Sequence, residues 1–162
     1  MFYYSLEDLS HDPKLASALG EMVITWANAD QALLGTMARV LNANLNFVQP
    51  AFYRLPTFEA RIKFIRALIS EWRAPKGFSK ASIDTATSKL AKLASTRNHW
   101  IHGVWCLAED KSETVIFDHR SPVGSPGRRK AVKAADVRNH IIAVKKRCEH
   151  LQKLIKWGDL SA

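Results

Sequence analysis

The chain has 162 residues, 47% of them hydrophobic and 24% charged, with a formal net charge of +9. That length suits one domain with a core of useful size, and seven glycines and six prolines are too few for a disordered or linker-rich chain. No run nears the roughly 20 apolar residues of a membrane span, and no basic start leads into an apolar segment. Cys106 and Cys148 alone make neither a disulfide framework nor a zinc site. The expectation is one cytoplasmic domain over residues 1–162, with reduced thiols and no membrane partner.

The first helix is expected from Asp12-Pro13, a cap acceptor followed by proline at the first helical position, to about Asn42. Leu15, Leu19, Met22, Val23, Trp26, Leu33, Met37, Val40 and Leu41 recur at steps of three and four and form its apolar stripe. Residues 43–56, punctuated by Asn44, Asn46, Pro50 and Pro56, read as a loop with at most one helical turn. A second helix, capped by Thr57, carries Phe58, Ile62, Ile65, Ile69 and Trp72 inward and ends at Pro75 and Gly77. Ser79 caps a third, with Ile83, Ala86, Leu90, Leu93, Ala94 and Ile101 inward, that stops near Gly103. Two short runs, Val104–Leu107 and Thr114–Phe117, flank a polar turn and read as a β-hairpin. The stretch from Ser121 to Gly127 reads as a loop. The last helix, about Ala135 to Trp157, has the stripe Val137, Ile141, Val144, Cys148, Leu151 and Ile155. The fold class is therefore mainly α, a bundle of four or more helices with a small hairpin inserted before the last.

Charge is unevenly placed. Residues 1–75 carry seven basic and seven acidic side chains, so the second half holds the whole excess. Residues 120–156 carry eleven Lys or Arg against Asp136 and Glu149. Arg138, Lys145, Lys146, Lys153 and Lys156 fall within about 100° of arc on the last helix, and Arg128, Arg129 and Lys130 precede it. This is either a solvated face or a surface that tracks RNA phosphates without reading sequence.

Two charged residues interrupt apolar stripes. Arg97 lies seven residues after Leu90, within about 20° of it, and Asp30 sits between Trp26 and Leu33. A lone buried charge costs several kcal/mol, so Asp30 and Arg97 are expected to meet, within one chain or across a dimer. The pair is either a structural salt bridge or part of a site.

Around it the sequence reads Arg97-Asn98-His99-Trp100-Ile101-His102-Gly103, with four residues between Arg97 and His102. This resembles the Arg-x4-6-His motif of the HEPN superfamily, helical domains that include metal-independent ribonucleases and the toxins of toxin–antitoxin systems. The resemblance extends to a long amphipathic helix ending at the motif, with helices before and after it. It implies an endoribonuclease in which Arg97, Asn98 and His102 are catalytic, supported by Asp30 and His99. It also implies a homodimer with the cleft at its interface, an RNA substrate and, in the toxin-like version, an inhibitory antitoxin-like protein.

The chemistry suits the residues. A histidine with an ordinary pKa near 6.5 can take the proton of an RNA 2′-hydroxyl or give one to the leaving oxygen. Arginine offers a planar fork to the phosphorane oxygens as charge builds. No metal or other cofactor is expected, because the 2′-hydroxyl is part of the substrate. In a straight helix Arg97 and His102 are about 140° and 7.5 Å apart, so convergence requires a distorted helix end, which Gly103 permits, or a two-fold axis. His99 points about 180° from Leu90 and stands as the second histidine candidate, and no third ligand joins it and His102 in a metal site. Cys106 falls in an apolar run, which favours burial over nucleophilic use. Trp100 and Trp105 flank the motif, either packed inside or stacked on a base. The alternative from another class is a catalytically silent helical module that dimerises and binds nucleic acid or a protein.

Overall fold

The computed structural model describes residues 3–6, 8–117 and 129–160; the expected loop from Ser121 to Gly127 and Arg128 lie outside them. The class is mainly α. Five α-helices are described: α1 (Pro13–Leu41), α2 (Leu45–Arg54), α3 (Phe58–Glu71), α4 (Lys80–His102) and α5 (Ala134–Leu154). The strands are β1 (Tyr3–Ser5), β2 (Val104–Ala108), β3 (Thr114–Phe117) and β4 (Arg129–Ala131), and a short 3-10 turn covers Trp157–Leu160. The chain forms two compact units, each discontinuous in sequence: residues 1–23 with 95–141, and residues 24–94 with 142–162.

The first unit is built on the hairpin. β2 and β3 pair antiparallel from Val104↔Phe117 to Leu107↔Thr114. Two strands that the sequence pattern does not predict flank the hairpin: β1 adds to β2 in the register Ser5↔Cys106, and β4 adds to β3 in the register Phe117↔Arg129. At three residues each they are too short to show the alternation that identifies a strand. Asp12 opens α1 as expected, its Oδ1 accepting the Leu15 amide at 3.0 Å. Leu15, Ala18 and Met22 of α1, Trp100 of α4, Cys106, Ala108, Val115 and Ile116 of the sheet, Val132 after β4, and Val137 and Ile141 of α5 are among its buried apolar residues.

The second unit is helical. Thr57 caps α3 through the Ala60 amide at 3.0 Å, and Ser79 caps α4 through the Ser82 amide at 3.2 Å. The segment read as a loop is the ten-residue helix α2. Asn44 caps it, and burial of Val48 and Phe52, four residues apart, outweighs the backbone hydrogen bond that Pro50 cannot make. Arg61 closes its far end, donating from Nε to the Leu55 carbonyl while its guanidinium lies 5.0 Å from the Phe52 ring centre. The last stripe is buried as expected over Val144, Cys148, Leu151 and Ile155. α5 ends at Leu154, short of Trp157, where Arg39 donates to the carbonyls of Ile155 (2.8 Å) and Lys156 (3.1 Å).

Some expected inward residues face out. Val23 and Leu41 of α1 are exposed, Phe58 and Trp72 are half-buried, and α3 stops at Glu71 rather than at Pro75. Ile101 is 38% exposed, whereas its neighbour Trp100 is 4% exposed. The apolar line of α4 thus emerges into solvent at its C-terminal end.

Two glycines of α1 make a contrasting pair. A Cβ at Gly20 would meet nothing within 4 Å, whereas one at Gly35 would fall inside the ring of Trp157. Gly20→Ala should raise stability by about 0.5–1 kcal/mol through helix propensity alone. Gly35→Ala should lower it by about 1–3 kcal/mol, because overpacking exceeds the same propensity gain. Denaturant unfolding of the two variants checks the opposite signs.

Candidate functional site

The motif occupies the last two turns of α4. Its helix does not distort: the Gly103 amide donates to the His99 carbonyl at 2.9 Å, so α-helical bonding continues past His102. Gly103 therefore has a different role from the one expected. A Cβ there would lie 2.6 Å from Ile116 Cγ1 and 2.7 Å from the His99 oxygen, so only glycine lets the helix end rest against β3.

Arg97 is half-buried, and its Nη1 donates to Asn98 Oδ1 at 2.9 Å. Its Nε is buried without a hydrogen-bond partner. The carboxylate expected to meet it is held elsewhere. Asp30 accepts from Arg61 Nη1 with both oxygens, at 2.9 and 2.8 Å, and this ion pair is largely shielded from water. Among the described residues, no carboxylate pairs with Arg97.

Around the helix, Asn98 and His102 are four residues apart and share a face, about 40° from one another. His102 and the flanking Ile101 and Val104 are exposed. Asn98 lies between Arg97 and His102 around the helix, 100° from the first and 40° from the second at about 100° per residue, and its amide oxygen is the acceptor that engages Arg97 Nη1. His99, expected on the outer side, is half-buried.

Two neighbouring groups had no place in the motif. Trp100 packs edge-to-face on His140 of α5, with ring centres 5.0 Å apart. His140 is 7% exposed, and burial pushes its pKa below the ordinary value. Its place in the pattern was visible, three residues after Val137 and four before Val144 on the inner line of α5. Both thiols are buried, which raises the Cys106 pKa and pushes that of Cys148 to about 11, with Glu149 adding to the latter. Protonated at neutral pH, neither is an activated nucleophile.

Of the basic set, Lys130, Arg138, Lys145, Lys146, Lys153 and Lys156 are exposed. Arg128 and the side chain of Arg129 lie outside the described residues. Lys156 Nζ sits 4.7 Å from the Phe78 ring centre, a contact within the second unit.

His140 gives the motif support a pH dependence whose sign follows from its neutral burial. Above the ordinary pKa of 6.5 both folded and unfolded forms are neutral there and stability is intact. As pH falls below 6.5 the unfolded chain takes up the proton first, and stability is lost until the folded pKa is passed, by up to ~1.4 kcal/mol per pH unit. His140→Phe should flatten that part of the curve in urea titrations between pH 7 and pH 5. No family model, no curated protein and no solved structure matches the chain.

Proposed function

We propose that the protein is a metal-independent endoribonuclease of HEPN-like character, cleaving RNA by attack of the 2′-hydroxyl on its own phosphodiester. The observation that carries this reading is the Arg97–Asn98 hydrogen bond beside an exposed His102, on an arginine that no carboxylate neutralises among the described residues. An arginine consumed by Asp30 would have had no charge to offer a phosphate; Asp30 is instead committed to Arg61.

In the proposed reaction His102 accepts the 2′-hydroxyl proton or protonates the 5′-oxygen as it leaves. Arg97 stabilises the dianionic phosphorane with its remaining guanidinium N–H groups. Asn98 holds Arg97 in place. Because the two motif residues still diverge on one helix, a second copy related by a two-fold axis completes the groove, one chain's Arg97 facing the other's His102. The exposed Ile101 and Val104 beside His102 are suited to that contact. Lys130 and Arg138, in the same unit as the motif, position the RNA backbone, with electrostatic affinity that falls with salt. In the toxin-like version a protein partner covers this cleft.

The divergence of Arg97 and His102 on an undistorted helix also favours a second reading, a catalytically silent module that dimerises and binds nucleic acid or protein. Cleavage of labelled RNA in EDTA separates the two. The wild type should yield 2′,3′-cyclic phosphate ends and leave matched DNA intact. Arg97→Ala and His102→Ala should each lower the rate by about 10²–10⁴ with the fold retained, and Asn98→Ala by about tenfold. Equal rates in all variants, or none in any, would transfer the assignment to the silent module. Sedimentation should give a dimer mass, and a monomer that cuts RNA would remove the shared groove.

A further inference from the structure

A cleft of about 370 Å³ opens in the first unit, lined by Leu6, Asp8, Leu9, Ala16, Leu19 and Trp105. Its size falls within the range of small-molecule sites. Among the described residues its lining side chains are apolar except for the Asp8 carboxylate, and hydrogen bonds tie the segments that carry them to the sheet. The Leu6 amide donates to the Trp105 carbonyl at 2.9 Å, tying the segment after β1 to β2. The indole of Trp105 is anchored by its Nε1, which donates to the Trp100 carbonyl at 3.0 Å. The Asp12 amide donates to the Leu9 carbonyl, and His11 Nε2 lies 3.0 Å from Thr114 Oγ1, which together hold the turn carrying Asp8.

The chemistry of this lining narrows the ligand. A half-exposed indole and leucine side chains favour a flat, largely apolar ring. Asp8 Oδ1 accepts the Ser10 amide at 2.8 Å, and bonds from Ser10 hold the carboxyl below its usual pKa, so it is an anion near neutral pH. A carboxylate has about four acceptor positions and no donor. It repels phosphate and carbonyl oxygens and attracts N–H groups. A nucleobase with an exocyclic amine meets both requirements, whereas the N3–H that uracil keeps is flanked by two carbonyl oxygens, which the carboxylate repels.

Position joins the cleft to the proposed site. Trp105 follows His102 by three residues, so their Cα atoms are at most ~10 Å apart along the chain. The geometry points to this cleft as the base-recognition subsite of the proposed ribonuclease, taking cytosine, adenine or guanine of the nucleotide next to the scissile bond and discriminating against uracil. The inference rests on the ribonuclease reading for its role, while the binding it asserts is measured without cleavage.

The test is a titration of the full chain with CMP, AMP, GMP and UMP in turn, followed by the indole N–H resonance of Trp105, which is identified by its loss in Trp105→Phe. The three amino-bearing nucleotides should shift that signal and bind about tenfold more tightly than UMP, the worth of one hydrogen bond to a charged group. Asp8→Asn, at an exposed position, should abolish the preference, and Leu19→Phe should block binding by filling the cleft. Sites mapped on a mixed-sequence RNA should show the same preference, lost in Asp8→Asn. Binding with no RNA cleavage would uphold the subsite and remove the ribonuclease reading. Cleavage with a base preference indifferent to Asp8→Asn and Leu19→Phe would uphold the ribonuclease and overturn the subsite. Absent binding, or UMP binding as tight as the others, would also overturn it.

Discussion

The close approach of α4 to the sheet at Gly103 is the constraint on which the motif-bearing unit depends. With hydrogen in place of a side chain, the helix keeps its α-helical bond to the last residue and stops against Ile116. β2 then begins at Val104, its partner β3 already buried under the helix end. Everything near the motif inherits this geometry: Trp100 turned inward on His140, Trp105 fastened to the Trp100 carbonyl, and Ile101, His102 and Val104 left outside. Any larger residue at 103 would have to push the helix from the strand, because two of the colliding groups are a backbone oxygen and a packed isoleucine.

Charge pairing divides the polar residues into structural and uncommitted ones. Arg61 is committed: Nη1 donates to both Asp30 oxygens, Nε to the Leu55 carbonyl, and its guanidinium face lies against Phe52 and Tyr53. Breaking such a pair would leave a shielded charge uncompensated, which is expensive, so this arginine is explained by the fold of the second unit. Arg39 is similarly explained by the carbonyls that end α5. Arg97 has no such explanation, since its Nη1 donates to the uncharged amide of the adjacent residue and no carboxylate among the described residues pairs with it.

Much of the architecture could be read from the residues because it follows from long periodic stripes and strong caps. Asp12, Thr57 and Ser79 each mark a helix start, and the stripe from Val137 to Ile155 is buried throughout. What escaped reading depends on contacts far apart in sequence. α2 exists because Phe52 and Val48 are buried in spite of Pro50, and β1 pairs with a strand a hundred residues later. The partner of Asp30 differs from the expected one for the same kind of reason. Periodicity identifies a stripe-breaking charge, but Arg61 breaks no stripe: it lies beside Ile62 on α3 and reaches Asp30 through its long side chain. Ile101 illustrates a further limit, since a stripe continues in the sequence after the core it serves has ended.

The buried Nε of Arg97 bears on what the motif is for. A buried donor left without a partner costs about 1–3 kcal/mol, and a fold selected for stability alone could remove that cost with leucine at this position of the stripe. Leucine would extend the line of Ile83 and Leu90 and add apolar burial as well. The arginine therefore stands where stability argues against it, with its Nη1 directed to Asn98 and its Nε buried without a partner. A phosphate drawn to that edge would lie on the Asn98–His102 face rather than on the line of Leu90, because the hydrogen bond and not the backbone sets the direction of the guanidinium. On this geometry the arginine and the histidine need not converge within one helix. In the proposed reaction they would need only to address opposite sides of one phosphodiester, which a two-fold pairing of α4 ends would allow without bending the helix.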